Sequence, residues 1–174
     1  MGSAADLQYG KEVEAAAERI GELIAEQNGI LVFGAEKDYD SLSTAACRGA
    51  KRKNGLTVGI TYGKGKDIWQ REDVDVIIPS GLERGGGREL VLVLGCDAVI
   101  AISGGSGTLT ELAIAYQANI PTIALEGFGG WSDKLADQFI DDRNRQKTFG
   151  AKTPEIAVGI AFREAAKYRK KNES

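Results

Sequence analysis

The sequence of 174 residues contains no histidine, two cysteines, three prolines and one methionine. Without histidine, the chain cannot carry a histidine-dependent catalytic triad, a histidine metal site or a histidine general base. Cys47 and Cys96 have neither the spacing of metal ligands nor that of a disulfide framework, so we expect small core thiols in a reducing compartment. No metal site is predicted.

Long apolar runs and a large net charge are also missing. No apolar stretch approaches the ~18 residues of a membrane span, and the N-terminus has no signal peptide pattern. The net charge of −3 offers no general attraction to nucleic acid or anionic membranes. The basic stretch at 167–171 fits a solvated helix end. We therefore expect a cytoplasmic protein that binds neither nucleic acid nor membrane.

Short apolar runs alternate with segments of helical periodicity along the whole chain. This order predicts an α/β fold, one doubly wound domain over residues 1–174 with a mostly parallel sheet and helices on both faces. Ligands of such sheets bind beyond the carboxyl ends of the strands. The loops after Phe33, around 81–88 and after Ile102 are therefore the candidate site loops. Strands are predicted at 30–33, 56–60, 74–78, 98–102 and 121–125, and helices at 13–24, 41–53, 89–94, 109–117, 132–140 and from Pro154 onward.

A glycine-rich turn follows the predicted strand 98–102, and residues 103–111 read SGGSGTLTE. Its glycines allow a sharp turn and a close ligand approach, and the amides at the start of the next helix suit an anion. A dinucleotide fingerprint and a Walker A loop are both absent. We predict a phosphate or nucleotide site on Gly104, Gly105, Ser106, Gly107 and Thr108.

Glu111 allows two interpretations. The pattern Thr108-x-x-Glu111 is typical of a capping box, in which the glutamate binds backbone amides at the helix start. The same carboxylate could instead be catalytic. From the residues alone we favour the cap.

Several motifs together resemble those of the Rossmann-like family that includes the LOG (Lonely Guy) phosphoribohydrolases and the molybdenum cofactor carrier proteins. The family motif PGGxGTxxE stands here as SGGSGTLTE, and Arg88 precedes Asp97 by the family's nine residues. Further matches are GLTVGI at 55–60, PSGL at 79–82, IPTIAL at 120–125 and GGW at 129–131. They are closest to the carrier-like branch of the family.

The resemblance implies a role for each matching residue. The turn 104–108 would hold a phosphate, Arg88 would orient the substrate, and Glu111 would support N-glycosidic cleavage of a nucleoside 5′-monophosphate. It also implies a homo-oligomer, either a dimer or a tetramer. The family label "possible lysine decarboxylase" implies pyridoxal phosphate, but no lysine here has the surroundings of a Schiff-base residue.

Three departures from the family pattern favour binding over catalysis. The loop 34–41 is charged where relatives have a second glycine-rich turn, although Ser41 could cap the next helix. The region GLERGGGRE at 81–89 lacks the adjacent Arg-Lys pair of the plant-type enzymes, and Ser103 replaces a proline. The chain also begins where the family's first, central strand should end, so we expect that strand to be missing before Gly2.

These features lead to two hypotheses. The first is a protein that binds a phosphorylated, nucleotide-like small molecule, such as a cofactor carrier with a bound nucleotide or molybdopterin-type ligand. It requires no further cofactor. The alternative is a nucleoside 5′-monophosphate phosphoribohydrolase that uses Arg88 and Glu111.

Overall fold

The computed structural model describes residues 1–3, 9–83 and 87–172 as an α/β protein. The helices are α1 (Lys11–Glu26), α2 (Leu42–Arg52), α3 (Arg88–Leu94), α4 (Ser106–Gln117), α5 (Gly130–Leu135) and α6 (Pro154–Asn172). The strands are β1 (Ile30–Gly34), β2 (Leu56–Thr61), β3 (Val76–Pro79), β4 (Val99–Ile102), β5 (Thr122–Leu125) and β6 (Phe149–Ala151), with a 3-10 turn at Arg71–Asp73.

The strands form two parallel sheets of three strands each. One sheet has the order β1-β2-β3, with Ile30 opposite Leu56 and Val58 opposite Val76. The other has the order β4-β5-β6. The carboxyl ends of β1 and β4 carry two of the three predicted site loops. The predicted α/β architecture, with parallel strands and interleaved helices, is confirmed.

Helices cover both faces of the strands. On one face, α1, α2 and α6 pack against the second sheet through Ile20, Leu42, Ile123, Leu125 and Val158. On the other face, α3, α4 and α5 pack against β4 through two smaller apolar clusters. No described helix combines the length and the apolar character that a membrane-spanning segment requires.

Cap residues define where several helices begin. Ser41 caps α2, and its hydroxyl accepts a hydrogen bond from the Thr44 amide at 3.1 Å. Thr153 does the same for α6, where its hydroxyl accepts from the Ile156 amide at 3.3 Å. Pro154 is the first residue of that helix, where a missing N–H costs nothing. Both cap predictions are confirmed.

Three predicted segments differ from the structure. Helix α4 begins at Ser106, three residues before the predicted start. Helix α5 ends at Leu135 and not near residue 140, because Ala136 leaves helical geometry and Asp137 has a left-handed backbone, with φ of 56°. Strand β6 was not predicted, since its three residues give too short an apolar run.

Both cysteines are free thiols. Cys47 is buried between α2 and β1, as predicted, and burial raises the pKa of its thiol to about 12. Cys96 is half-buried, and burial raises its pKa to about 11. Neither thiol is activated as a nucleophile.

Candidate functional site

The predicted phosphate turn follows β4 directly and leads into α4. Ser103 and Gly104 both have left-handed backbones, with φ of 53° and 99°. A Cβ at Gly104 would stand 2.4 Å from the Thr108 Oγ1 atom, so only glycine fits there. Gly105 is the N-cap residue in an extended conformation. The chain therefore reverses within two residues and points the start of α4 outward.

The first amides of α4 are available to a ligand. The first hydrogen bond of the helix runs from the Leu109 amide to the Gly105 carbonyl at 3.1 Å. Within the described part of the chain, the amides of Gly105, Ser106, Gly107 and Thr108 donate to no acceptor. Four free N–H groups at the positive end of a helix dipole can bind a phosphate group.

The GGW segment at 129–131 holds this turn in place. The Trp131 amide donates to the Gly104 carbonyl, and the Ser132 amide donates to the Ser103 carbonyl, each at 3.0 Å. A Cβ at Gly130 would stand 2.5 Å from the carbonyl carbon of Ser103, so Gly130 allows the two backbones to touch. The start of α5 thus fixes the carbonyls of the turn and leaves its amides free.

Ser3 forms hydrogen bonds with the turn. Its hydroxyl accepts a hydrogen bond from the Gly104 amide at 2.9 Å and donates one to the Ser103 hydroxyl at 3.1 Å. Its carbonyl accepts from the Leu42 amide at 2.9 Å. Ser3 is buried and connects the turn to the start of α2.

Arg88 lies at the start of α3 and is buried, with 4% of its surface exposed. Its guanidinium donates to a Glu36 carboxylate oxygen at 3.3 Å, to the Ile60 carbonyl at 3.4 Å and to the Tyr62 hydroxyl. The central carbon of the guanidinium lies 4.0 Å from the centre of the Tyr62 ring. Its Nε atom is buried and has no hydrogen-bond partner among residues 1–3, 9–83 and 87–172. A buried donor of this kind calls for an acceptor from a ligand or a water molecule.

Gly34, the last residue of β1, makes room for this arginine. A Cβ at Gly34 would stand 2.1 Å from an Nη atom of Arg88. Glu36, two residues later, carries the carboxylate that pairs with Arg88, and only 9% of its surface is exposed. The charged loop therefore occupies part of the space that a ligand anion would need at Arg88.

A network of charges holds the rest of this loop against α1 and α2. The Arg48 guanidinium binds Asp40 at 2.9 Å, Glu18 at 3.2 Å and Glu14 at 2.5 Å. It also donates to the Gln70 side chain at 2.9 Å. Only 17% of the Arg48 side chain is exposed, and its ion pairs connect the loop after β1 to both helices.

Glu111 points into the interior of the site from the second turn of α4. Burial raises the pKa of its carboxyl, and the nearby positive charges of the Met1 amine and Arg88 oppose that rise. The capping-box prediction is wrong, because α4 begins at Ser106 and its cap position, Gly105, makes no side-chain hydrogen bond. Thr108 and Glu111 both lie inside the helix.

The structure brings the predicted residues together around the ends of β1 and β4. The turn 104–108 and Glu111 share one helix, and Arg88 acts electrostatically on Glu111. Residues 84–86 of the predicted arginine segment lie outside the described residues. The sequence did not indicate site roles for Ser3 and Tyr62, and it marked Glu36 only as part of a charged loop. Side chains of this kind gain a role through tertiary contacts, which spacing along the chain does not record.

Comparison of the sequence with known proteins shows its family. The model of a family described as "LDcluster4: SLOG cluster4 family" matches residues 1–158. An uncharacterized protein of Archaeoglobus fulgidus is 36% identical over 117 residues, which are 64% of this chain and 73% of that protein.

Solved structures of similar length share the fold. A protein solved as TM1055 has a TM-score of 0.82 at 25% identity, over 94% of this chain and 96% of its own. The molybdenum cofactor binding protein of Rippkaea orientalis has a TM-score of 0.77 at 28% identity, over 94% and 93%. The molybdenum cofactor carrier protein of Chlamydomonas reinhardtii has a TM-score of 0.78 at 25% identity, over 95% and 96%.

Proposed function

This chain belongs to the SLOG cluster4 family, and on that premise we propose that it binds and carries a phosphorylated small molecule. The phosphate group sits on the turn 104–108, at the start of α4. The bound molecule is a cofactor of the molybdopterin type or a related nucleotide. It is released from the protein without chemical change.

The observation that carries this proposal is the set of four amides from Gly105 to Thr108. They are free of protein acceptors in the described structure, while the carbonyls of Ser103 and Gly104 accept from the amides of Ser132 and Trp131, respectively. Every α-helix leaves its first four N–H groups without an intrahelical partner, and here the hydrogen bonds from the start of α5 hold the turn that carries them. Amides fixed in position beforehand bind an anion without the entropy cost of ordering a loop.

The relatives support a cofactor as the cargo. Two similar structures are those of a binding protein and a carrier protein for the molybdenum cofactor. A molybdopterin ends in a phosphate group, which fits the free amides of the turn. The Nε atom of Arg88 lies 4.0 Å from a Glu89 carboxylate oxygen but has no hydrogen-bond partner among the described residues, and it offers one further donor to a polar part of the same molecule.

Glu36 favours carriage over catalysis. Its carboxylate already pairs with the Arg88 guanidinium inside the protein. The pairing reduces the positive charge that Arg88 could present to a reacting phosphoribosyl group.

Replacement of Ser106 tests the site directly. Ser106 is exposed at the first position of α4, where a negative side chain stabilises a helix by about 0.3–1 kcal/mol. Ser106→Glu should therefore keep or raise the melting temperature, but its charge should repel a phosphate. Ser106→Gln, which has the same size and no charge, is the matched control.

Binding is measured by calorimetry with AMP, inorganic pyrophosphate and molybdopterin released from a purified molybdoenzyme. We expect at least one of these to bind the wild type and the Gln variant, and the Glu variant to bind it about tenfold more weakly or worse, which is 1.4 kcal/mol or more. Equal affinity of the two variants, or no binding of any probe by the wild type, would contradict the proposal.

A second candidate function, hydrolysis of a nucleoside 5′-monophosphate, is favoured by Glu111. Because burial raises the pKa of this carboxyl, it can keep a proton for a leaving base at a pH where an exposed glutamate has lost it. Incubation with AMP should then release adenine, detected by chromatography, and Glu111→Gln should abolish the release. Intact AMP after prolonged incubation, or release that the Gln variant retains, would exclude this activity and leave carriage in place.

A further inference from the structure

A hydrogen-bond donor and an acceptor lie side by side at the start of α3 without binding each other. The Arg88 Nε atom is 4.0 Å from a Glu89 carboxylate oxygen, whereas an N–H···O hydrogen bond spans roughly 2.7–3.2 Å. In the described part of the chain, Nε has no partner, and the Glu89 carboxylate has no hydrogen bond of its own. Both residues are buried, with 4% and 6% of their surfaces exposed. The two groups can therefore bind adjacent atoms of one ligand.

Carboxylates outnumber cations around this pair. Glu36 contacts the Arg88 guanidinium at 3.3 Å. Glu111, on the neighbouring helix α4, interacts electrostatically with both of these groups and with Glu89. Within the described residues, three buried carboxylates thus surround one guanidinium, and the Met1 amine adds one further positive charge. A buried excess of negative charge is unfavourable unless hydrogen-bond donors compensate it.

This excess argues against a second phosphate as the group that binds beside Arg88. A phosphate would add negative charge next to three carboxylates and would bring no N–H group to donate to them. The group that fits must accept a hydrogen bond from Nε and donate hydrogen bonds to carboxylates. An uncharged heterocycle whose ring carbonyl stands beside N–H groups meets both requirements.

Helix α4 connects this region with the phosphate turn. Glu111 lies five residues after Ser106, the first residue of the helix. At a rise of 1.5 Å per residue, the two positions are about 7.5 Å apart along the helix axis. Burial raises the pKa of the Glu111 carboxyl, and the charges of Glu89 and Glu36 add to that rise, as expected where donors are too few. One small molecule with a phosphate at one end and a heterocycle at the other can reach both places.

We propose that Arg88, Glu89 and Glu111 recognise an aminopyrimidinone ring edge, on a ligand whose phosphate sits on the turn 104–108. This edge consists of a ring carbonyl, a ring N–H and an exocyclic amine in a row. The carbonyl accepts from the Arg88 Nε atom, the ring N–H donates to Glu89, and the amine donates to Glu111. Guanine carries this edge, and so does the pterin of molybdopterin. The inference rests on the proposed function, because the phosphate turn provides the other end of the site.

The order of groups along this edge separates guanine from the other purines. Hypoxanthine has the carbonyl and the ring N–H but lacks the amine, so it leaves Glu111 without a donor. Adenine has one donor next to one acceptor and no third group. A buried carboxylate that loses its donor on binding weakens the complex, and we therefore expect GMP to bind more tightly than IMP or AMP.

Calorimetry with GMP, IMP, AMP and ribose 5-phosphate, which has no base, tests this order. The wild type should bind GMP about tenfold more tightly than IMP, which differs from it only by the exocyclic amine. Glu111→Gln should reduce that preference to about threefold, because a hydrogen bond to a charged acceptor is about twice as strong as one to a neutral acceptor. Glu89→Gln should weaken GMP and IMP alike, since both carry the ring N–H.

Ribose 5-phosphate is the control for folding and for the phosphate turn, and both variants should bind it as the wild type does. Molybdopterin should lose affinity for the Glu111→Gln variant as GMP does. The tighter of these two ligands on the wild type identifies the ring as a pterin or a purine.

Three results would overturn the inference. Equal affinity for GMP, IMP and AMP, with ribose 5-phosphate still bound, would refute the ring-edge assignment and leave the proposed function in place. A tenfold preference for GMP that the Glu111→Gln variant retains would refute it as well. If the wild type binds none of the probes, the proposed function fails, and the inference fails with it.

Discussion

At the scale of single residues, the site places buried groups of opposite charge near each other. Glu111, Arg88 and the Met1 amine interact electrostatically, and Glu36 and Glu89 add negative charge to the same region. Burial raises the pKa of the Glu111 carboxyl and lowers that of the Met1 amine, while each charge partly stabilises the other. The protonation of the Glu111 carboxyl and the Met1 amine, and with it the stability of the protein, should therefore depend on pH.

Glu111→Gln tests this dependence. A carboxyl whose pKa is higher in the folded state binds its proton more tightly there. Its contribution to the free energy of unfolding is complete below the unfolded pKa of about 4.3 and is lost as the pH rises through the folded pKa. We expect the wild type to lose free energy of unfolding relative to the Gln variant between a pH near that unfolded value and neutral pH. Urea denaturation at both pH values measures the difference, and a constant difference would contradict the assignment.

At the scale of elements, the start of α4 shows which glycines the fold needs. Gly104 must be glycine, because its φ is 99° and a Cβ would collide with Thr108. A Cβ at Gly107, in contrast, would meet no atom within 4 Å. Since glycine inside a helix costs about 1 kcal/mol relative to alanine, folding alone does not explain Gly107.

Gly107→Ala should therefore raise the free energy of unfolding by about 0.5–1 kcal/mol. If the free amide of residue 107 contacts the ligand, the same methyl group should hinder its approach and weaken the binding of the phosphate probe. Gly104→Ala is the comparison, and strain at its positive φ should destabilise the protein. Chemical denaturation and calorimetry on the two variants measure both effects, and a Gly107 variant that is less stable than the wild type would count against this view of the turn.

The elements were predictable wherever periodicity or cap chemistry was strong. Ser41 and Thr153 are caps by residue type and remain caps in the structure. The pattern Thr108-x-x-Glu111 has the residue types of a capping box but lies in the wrong register, because α4 begins before it at Ser106. Gly107 concealed that start, since its helix propensity is low although it lies inside α4.

At the scale of the whole molecule, the sequence predicted strands and their parallel direction but not the division into two sheets. Apolar runs identify strands, and alternation with helices makes them parallel, yet neither determines which strands are hydrogen-bonded neighbours. The site loops could be predicted because they follow strand ends in any parallel arrangement. The pairing of Arg88 with Glu36 could not, since these residues lie on different elements and meet only when β1 and α3 pack together.

The division into two sheets also affects how this protein meets other molecules. Unpaired strand edges normally template the addition of strands from neighbouring chains, which leads to aggregation. Here the edges of β1 and β4 both line a cavity of about 560 Å³, and side chains of α1, α6 and α3 complete its lining. A second folded molecule cannot bring a strand edge between them. Because both of these edges are turned inward, neither is exposed to neighbouring chains as an edge on which fibrils could grow.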